Sequence, residues 1–400
     1  MGHDLVLHGA RLLTGDAPPA PSADGWVAVA EGRIAALGHG VPPEAAERVD
    51  VGGDWLAPGY VDVHVHGGAG GDVMAPERDA RLAVRRLHAR HGTTAMLAST
   101  VSRPPDELHE AVDRLAGDIE EPVVEPIARL VGIHLEGPFL SRVRRGAHQE
   151  TALRPPDPAE TDALLAAGRG HVRTVTVAPE LPGGLDLVAR LVGDGVTVAV
   201  GHTDADAATV GAAVDAGARA VTHTFNGMQP LHHRRPGPVG MAMDLAQLTC
   251  ELILDLVHVD PVAARALVHA AGADRICLIT DAMAATGMSD GTYELGGQTV
   301  EVRDGHVHVQ GTDTLAGSTL TMATAVENAV AHLGIDVPTA VAMATTIPAA
   351  LLPGVDAGRL HAGGPADLVR LDDVAHLRGV WISGNPVDSV DPSPQEVTVG

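Results

Sequence analysis

The sequence has no lysine, so all 27 of its Lys and Arg residues are arginine. No ammonium group is therefore available to hold a phosphate or another anion. The 51 acidic residues outnumber the arginines, and the formal net charge is −24. Nucleic acids and anionic membranes require basic patches, and the tight basic clusters are confined to residues 142–145 and 232–235. These short clusters fit a small anion better than a polymer, so we expect neither a nucleic-acid nor a membrane partner.

Cysteine is nearly absent as well, since only Cys250 and Cys277 are present and both lie in apolar runs. Two isolated cysteines of this kind indicate buried thiols in a reducing compartment rather than a disulfide framework. The N-terminal segment lacks the charged region and apolar core of a signal peptide, and no apolar run is long enough to span a bilayer. The sequence therefore predicts a cytoplasmic protein.

Aromatic residues make up only 2% of the 400 residues, whereas hydrophobic residues together make up 45%. Aliphatic side chains must therefore fill the core, and the chain is long enough for one large barrel and a smaller module. Apolar runs alternate with alanine-rich helical stretches, at residues 59–65, 94–99, 128–135, 174–178, 197–201, 220–224, 251–257 and 275–280. These eight runs predict an α/β fold, a (β/α)8 TIM barrel, over residues 58–357.

Short strands and turns flank this central region on both sides. Residues 4–8, 26–30 and 33–38 have strand-like patterns, and the segment from residue 358 onward has the same character. We predict that residues 1–57 and 358–400 form one small β-sandwich that is discontinuous in sequence.

Potential metal ligands close the apolar runs of the predicted barrel. They are His64, His66, Glu136, His202, His223 and Asp281. In barrels of this type the active site lies at the carboxyl ends of the strands. In a chain with 22 histidines, a single histidine is more often structural than a ligand, so the argument depends on all six converging. A mixture of imidazole and carboxylate suits zinc, iron, manganese or cobalt rather than calcium.

The spacing of His64 and His66 has a direct geometric meaning. Side chains two residues apart on a strand point the same way, so two imidazoles can hold one cation. Gly67 and Gly68 follow and would let the backbone approach a bound ion or ligand closely. The alternative is a pair of exposed strand histidines.

The two carboxylates at strand ends support the same site. Glu136 ends an apolar strand, where a buried carboxylate needs a metal or an arginine as its partner. Asp281 could be a helix N-cap, but its place in the array favours a catalytic role. If two metals are bridged, Glu136 is the candidate, because the chain has no lysine to carboxylate.

Longer motifs identify a family. In chain order they are LAPGYVDVHVHGGAGGD, HLEGPF, RGAHQ, GHTDA, THTFNGM, LITDA, LAGS and GGPADLV. By these motifs the chain resembles the amidohydrolase superfamily and, within it, the N-acetylglucosamine-6-phosphate deacetylases, nearly from end to end. The resemblance implies hydrolysis of the acetamide of N-acetyl-D-glucosamine 6-phosphate to D-glucosamine 6-phosphate and acetate, in amino sugar catabolism and recycling. It also implies one or two divalent transition metals per subunit, with zinc the first expectation.

The resemblance implies roles for individual positions. Glu136, His202 and His223 match the main metal site, and His64 and His66 match a second metal position. Asp281 matches the catalytic acid and base, and we expect that it can also contact a metal. The positions that match substrate contacts are Ala147, His148, Asn226, Gly227, Arg234, His258, Leu315, Ala316 and Gly317.

Some of these substrate contacts carry further expectations. His148 is expected to help stabilise the oxyanion, and Arg234 with His258 to bind the phosphate. Gly227 stands where the resemblance leads us to expect alanine. Arg235, next to Arg234, is an alternative phosphate ligand. We expect the loop of Arg234 to project away from the barrel axis, so that it can reach a neighbouring subunit, which predicts a homodimer.

Three alternatives remain at the level of sequence. One is N-acetylgalactosamine 6-phosphate as the sugar, and another is a different N-acyl amine or a cyclic amide as the substrate. A barrel that binds metal without catalysis would need a broken acid/base position, and Asp281 is intact.

Overall fold

A computed structural model describes residues 3–15 and 22–388 of this protein. Residues 389–400 of the predicted C-terminal module, together with residues 1–2 and 16–21 of the N-terminal one, lie outside the described residues. In chain order the strands are β1 (His3–Leu12), β2 (Gly25–Ala30), β3 (Arg33–His39), β4 (Ala45–Asp50), β5 (Trp55–Pro58), β6 (Tyr60–Asp62), β7 (Gly67–Gly68), β8 (Gly71–Asp72), β9 (Thr93–Thr100), β10 (Arg129–Glu136), β11 (Val172–Val177), β12 (Thr197–Val200), β13 (Ala220–Val221), β14 (Thr249–Ile253), β15 (Ile276–Ile279), β16 (Gly291–Leu295), β17 (Gln298–Arg303), β18 (His306–Val309), β19 (Leu368–Leu371), β20 (Leu377–Ile382) and β21 (Asn385–Pro386).

The helices lie mainly between the strands of the central sheet. They are α1 (Arg78–Arg90), α2 (Pro105–Glu120), α3 (Pro158–Ala167), α4 (Gly184–Gly193), α5 (Ala207–Asp215), α6 (Gly237–Asp244), α7 (Pro261–Ala271), α8 (Met322–Leu333), α9 (Val337–Ala344) and α10 (Thr346–Ala350). Aspartate caps several of them, because its carboxylate accepts the free backbone N–H groups of the first turn. Asp157, Asp206, Asp260 and Asp336 do so for α3, α5, α7 and α9. Within the described ranges, no helix combines the length and apolar character that crossing a membrane requires.

Eight parallel strands form the central sheet, in the spatial order β15, β14, β13, β12, β11, β10, β9 and β6. The two edges meet beyond the ends of β6 and β15. Val65 forms a parallel bridge with Ala282, and the backbone nitrogen of Asp281 donates to the carbonyl oxygen of His64 at 2.9 Å. The sheet therefore closes, and the predicted (β/α)8 barrel is confirmed.

Several barrel strands are shorter than the apolar runs predicted. The run at residues 220–224 contains only the two-residue strand β13. His223 has a left-handed backbone with φ of 27°, which turns the chain out of the ladder. Its backbone nitrogen donates to the side chain of Glu251 rather than to a neighbouring strand. Polar strand-end residues therefore end the regular strands instead of extending them.

The first and last segments of the chain share a second sheet. Strands β1 to β5 pair with β19 to β21 in one eight-stranded sheet, in which β1 contacts β2, β4 and β5. A separate cluster of buried side chains packs here, including Leu7, Ile34, Leu56, Leu368 and Trp381. Strand β5 ends at Pro58 and barrel strand β6 begins at Tyr60. The division into a β-sandwich of residues 1–57 and 358–400 and a barrel of 58–357 stays a prediction.

A three-stranded antiparallel sheet, β16 to β18, follows the last barrel strand and was not predicted. Its two turns consist of Gly296–Gly297 and Asp304–Gly305, and all four residues have positive φ. Asp-Gly and Gly-Gly pairs between alternating residues are a strong signal for such hairpins, so the sequence contained the information. This insert carries Leu295 and Gly296 to the mouth of the central cavity.

Candidate active site

A cavity of about 280 Å³ opens at the carboxyl ends of the barrel strands. Both kinds of predicted site residue line it. The predicted metal ligands in its wall are His66, Glu136, His202, His223 and Asp281. The predicted substrate contacts in its wall are Ala147, His148, Asn226, Gly227, His258, Leu315 and Gly317. The side chain of His64 is fully buried behind this wall.

Glu136, the last residue of β10, lies at the centre of five imidazoles. Its Oε1 is 3.2 Å from Nε2 of His202 and 3.1 Å from Nε2 of His223. The same oxygen lies 3.4 Å from Nε2 of His64. Its Oε2 is 3.3 Å from Nε2 of both His66 and His148. One carboxylate thus contacts side chains from several different strand ends.

Three residues of this cluster have a left-handed backbone just after their strands. The φ angles are 45° at His202, 27° at His223 and 49° at Asp281. Such a conformation is unfavourable by about 1–3 kcal/mol for each non-glycine residue, and it persists where the surrounding structure enforces it. Strain of this kind concentrates at functional sites. Here it directs three strand-end side chains toward one point.

The hydrogen bonds of the histidines leave their inner nitrogens free to bind a cation. Nδ1 of His202 contacts the carbonyl oxygen of Arg144 at 2.8 Å, and Nδ1 of His223 contacts that of Asn226 at 3.1 Å. A nitrogen that faces a carbonyl must carry the hydrogen, so Nε2 of each ring has a bare lone pair. These two Nε2 atoms are only 3.0 Å apart. Two lone pairs at this distance repel unless a cation binds both.

His64, His66 and Asp281 form a second group of the same kind. Nε2 of His66 is 3.1 Å from Nε2 of His64 and 3.2 Å from Oδ1 of Asp281. Nδ1 of His66 faces the carbonyl oxygen of Ser99 at 3.0 Å, so in the neutral ring Nε2 is the nitrogen available to a cation. The three ligand atoms lie within 4.8 Å of one another. The donors of both groups, imidazole and carboxylate, suit a divalent transition metal.

The electrostatics of the cluster favour ionised carboxylates. Burial alone would raise the pKa of Glu136, but His64 and the other surrounding histidines outweigh it and hold that pKa well below its usual value. Burial likewise opposes ionisation of Asp281, yet His64 and His66 lower the pKa of this group too. Both side chains therefore carry negative charge at neutral pH.

Comparisons with known proteins agree with this geometry. The sequence model of the amidohydrolase family matches residues 55–394. This chain belongs to the amidohydrolase family. It is 39% identical to the N-acetylgalactosamine-6-phosphate deacetylase of Escherichia coli O157:H7, over 95% of this chain and 98% of that protein. It is 38% identical to the N-acetylglucosamine-6-phosphate deacetylase of Homo sapiens, over 88% of each.

A solved structure covers almost the whole amidohydrolase chain. It is a mutant of the N-acetyl-D-glucosamine-6-phosphate deacetylase from Mycobacterium smegmatis in complex with N-acetyl-D-glucosamine-6-phosphate. The TM-score is 0.89 at 42% sequence identity, and the match covers 97% of this chain and 100% of that one. The family resemblance inferred from the motifs is thereby confirmed.

His148 has the opposite tautomer from the candidate ligands of this amidohydrolase. Its Nδ1 accepts a hydrogen bond from the backbone nitrogen of Ser102 at 3.2 Å, so its hydrogen lies on Nε2. Burial lowers the pKa of His148 to about 4, which keeps the ring neutral. Distance alone would group His148 with Glu136 and His202 as metal ligands. The protonated Nε2 makes it a hydrogen-bond donor to the cavity instead.

His258 also lines the cavity, and its partner is the carboxylate of Asp255. Its Nδ1 is 2.6 Å from Oδ2 of Asp255, whose other oxygen accepts from the backbone nitrogens of Val257 and His258. Burial lowers the pKa of His258, but Asp255 outweighs that effect and raises it above the usual value. Asp255 therefore favours the protonated, cationic form of His258, which lines the cavity.

Two predicted substrate contacts do not line the cavity of their own chain. Ala316 is buried, and its backbone nitrogen donates to Val307 of the insert. Arg234 is exposed on the loop after β13, and its guanidinium donates to Nε2 of His233 at 2.9 Å. A phosphate contact from Arg234 therefore stays a prediction that requires a second subunit.

Gly67 is surrounded closely by protein backbone. A Cβ at this position would lie 2.4 Å from the carbonyl oxygen of Gly71 and 2.8 Å from the backbone nitrogen of Ala284. Glycine is needed here because protein backbone approaches closely.

Sequence reasoning also missed three residues that hold the site. Ser102, Glu251 and Asp255 each contact a histidine of the cluster or cavity. Glu251 had a usable signal, since it is a carboxylate inside the otherwise apolar strand β14. Ser102 acts through its backbone nitrogen, which its residue type could not reveal.

Proposed function

We propose that this amidohydrolase is a metal-dependent deacetylase that converts N-acetyl-D-glucosamine 6-phosphate to D-glucosamine 6-phosphate and acetate. The observation that carries the proposal is the buried cluster of five imidazoles around Glu136, which opens beside Asp281 into the substrate-sized cavity. The names of the relatives from Homo sapiens and Mycobacterium smegmatis support the choice of substrate.

Glu136, His202 and His223 would hold the first cation, and His64, His66 and Asp281 a second. When bound, a divalent metal supplies Lewis-acid chemistry, because it polarises a carbonyl and lowers the pKa of water toward neutrality. Zinc is our first choice, and iron, manganese and cobalt accept the same mixture of donors.

Asp281 acts as the general base and then as the general acid. Its lowered pKa leaves it ionised, so it can accept the proton of the water that attacks the acetamide carbon. The carbon–nitrogen bond then breaks, and Asp281 returns the proton to the departing amine. Its Oδ1 is 3.2 Å from His66, which holds the carboxylate at the edge of the cluster.

His148 stabilises the negative charge that forms on the carbonyl oxygen. Its Nε2–H group lies in the cavity wall, 3.3 Å from Oε2 of Glu136, and its neutral ring is fixed by the hydrogen bond from Ser102. A preorganised donor of this kind needs no rearrangement as the charge develops. The base and the oxyanion donor are thus two different side chains of the same cavity.

The sugar and its phosphate occupy the outer part of the cavity. We propose that Ala147, Asn226, Gly227 and the loop of residues 315–317 contact the sugar, and that His258 contacts the phosphate. Arg234 binds the phosphate from a second subunit, since a planar guanidinium can donate two parallel hydrogen bonds to it. The working unit is then a homodimer, which we place in the cytoplasm.

Acetate release from a matched set of sugars tests this function. The set contains N-acetylglucosamine and N-acetylgalactosamine, each with and without a 6-phosphate. We expect the highest kcat/KM with N-acetylglucosamine 6-phosphate and a much lower value without the phosphate. Absence of acetate release from all four sugars, with metal bound, would refute the proposal.

N-Acetylgalactosamine 6-phosphate is the second candidate substrate. The 39% identity to the deacetylase of that sugar from Escherichia coli O157:H7, over nearly both whole chains, favours it. A higher kcat/KM for the galactosamine derivative in the same assay would establish it instead. The two sugars differ only in the configuration of one hydroxyl group, so the catalytic roles proposed above would be unchanged.

A further inference from the structure

A third buried carboxylate contacts both metal-ligand groups without belonging to either. Glu251 projects from barrel strand β14, and its side chain is almost completely buried. Its Oε2 is 3.3 Å from Nδ1 of His64 and 3.2 Å from the backbone nitrogen of His223. A single oxygen atom therefore contacts one candidate ligand from each group.

The partner of His64 differs in kind from the partners of the other candidate ligands. Nδ1 of His66, His202 and His223 each faces a neutral backbone carbonyl oxygen. Nδ1 of His64 faces a carboxylate instead. A carboxylate partner fixes the tautomer, orients the ring and makes the opposite nitrogen a stronger metal ligand.

Glu251 also changes the balance of charge in the site. Glu136, Asp281 and Glu251 all contact imidazoles of the cluster and all are buried. Three carboxylates exceed the charge of one divalent cation, and a buried charge without compensation is strongly unfavourable. A second cation next to His64 removes this excess. Without Glu251 the site would carry one negative charge fewer, so the second cation would be less strongly favoured.

We propose that Glu251 is a positioning residue that controls whether the second cation binds at His64, His66 and Asp281. It does so by orienting His64 and by supplying negative charge. The inference rests on the proposed function, in which Glu136, His202 and His223 hold the first cation. That first cation depends less on Glu251, because backbone carbonyl groups orient both of its imidazoles.

The test compares cation binding by wild type and Glu251→Gln. Glutamine keeps the size and an acceptor oxygen but removes the charge. Chelator-treated protein is titrated with Co²⁺ in a calorimeter, and bound metal is counted by elemental analysis. We expect two binding events in wild type. In Glu251→Gln the second event should weaken ~10–100-fold, the range for loss of a ligand's hydrogen-bond partner, while the first stays nearly unchanged.

Two further variants separate the possible causes. Glu251→Leu also removes the acceptor of the His223 backbone nitrogen, so we expect it to weaken both binding events, whereas Glu251→Gln weakens only the second. Asp62→Asn is the matched control. Asp62 is equally buried and accepts from the backbone nitrogen of His64 at 3.3 Å. Among the described residues, its carboxylate makes no hydrogen bond to an imidazole of the cluster. It should keep both binding events. Equal weakening in Asp62→Asn would overturn the specific role of Glu251.

The remaining outcomes distinguish this inference from the proposed function. If wild type binds one ion only, or if Glu251→Gln binds two with wild-type affinities, the role of Glu251 is refuted while deacetylation can still be observed. If wild type binds two ions but releases no acetate from any of the four sugars, the proposed function fails and the binding comparison still decides the role of Glu251.

Discussion

The interior of the cavity and the loop of residues 231–235, which lies outside the cavity wall and is here called the rim, use histidine in opposite ways. In the interior, five imidazoles surround Glu136, and backbone or carboxylate partners fix their outer nitrogens. The rim carries two adjacent histidines and two arginines, mostly exposed to solvent. The rings of His232 and His233 contact each other, with centroids 4.4 Å apart. Contacts within the chain orient the interior histidines, whereas most of the rim side chains are exposed to solvent.

If this contrast is correct, interior variants should change kcat and rim variants should change KM. The largest effect is expected for Asp281→Asn, which removes the general acid and base but keeps the size of the side chain. We expect kcat for acetate release to fall by ~10²–10⁴-fold, with bound metal retained by Glu136, His202 and His223. Turnover close to that of wild type would refute the role of Asp281.

The next largest effect is expected for His148. Its distances are those of a metal ligand, but its tautomer makes it a hydrogen-bond donor. His148→Ala should reduce kcat by ~10²–10³-fold, as for loss of one oxyanion donor. Elemental analysis should find an unchanged metal content, because the protonated Nε2 does not bind a cation. Loss of metal from this variant would show that His148 is a ligand and that the tautomer is wrong.

At the rim, Arg234→Ala should act on binding alone. Charge-assisted hydrogen bonds are worth about 1.5–3 kcal/mol, so KM for the phosphorylated sugar should rise by ~10–100-fold. The slow reaction of the unphosphorylated sugar should stay nearly unchanged. Arg235→Ala is the matched control. If Arg235 makes no hydrogen bond to the phosphate, KM should change by less than about threefold. An equal loss on both sugars in Arg234→Ala would exclude a phosphate contact.

The smallest effect is a shift in pH dependence. Asp255 raises the pKa of His258, so the cationic form persists to higher pH in wild type than it would without this partner. In Asp255→Asn the pKa of His258 falls, so KM for the phosphorylated sugar should begin to rise at a lower pH. Asp260→Asn, which removes the charge of the α7 N-cap but keeps an acceptor oxygen, serves as the control. Identical KM–pH profiles for wild type and Asp255→Asn would contradict the pairing.

The barrel and the cluster inside the cavity could be predicted, because in this fold the order of the strands in the sequence fixes where each strand ends. Eight apolar runs imply eight strands, and parallel strands in a closed barrel end on the same face. Glu136, His202 and Asp281 therefore converge however far apart they lie in the chain. Strand length was harder to predict, because the left-handed turn at His223 depends on contacts with Glu251 from the next strand.

The rim and the supporting residues could not be derived in the same way. Arg234 lies on a loop whose path no strand register fixes, and its proposed contact lies on another subunit. The partners of the histidines, such as Ser102 and Asp255, depend on side-chain and backbone geometry that residue type does not encode. The insert of β16 to β18 is different, since its turn signals were present and were overlooked.

The central claim is that the buried cluster hydrolyses the acetamide with a divalent metal. The most direct test measures acetate release from N-acetylglucosamine 6-phosphate by one preparation as purified, after chelation and after addition of Zn²⁺, Mn²⁺ or Co²⁺, with bound metal counted each time. We predict close to stoichiometric metal in the purified protein, loss of activity on chelation and recovery on reloading. Full activity in protein shown to be free of metal would contradict the account.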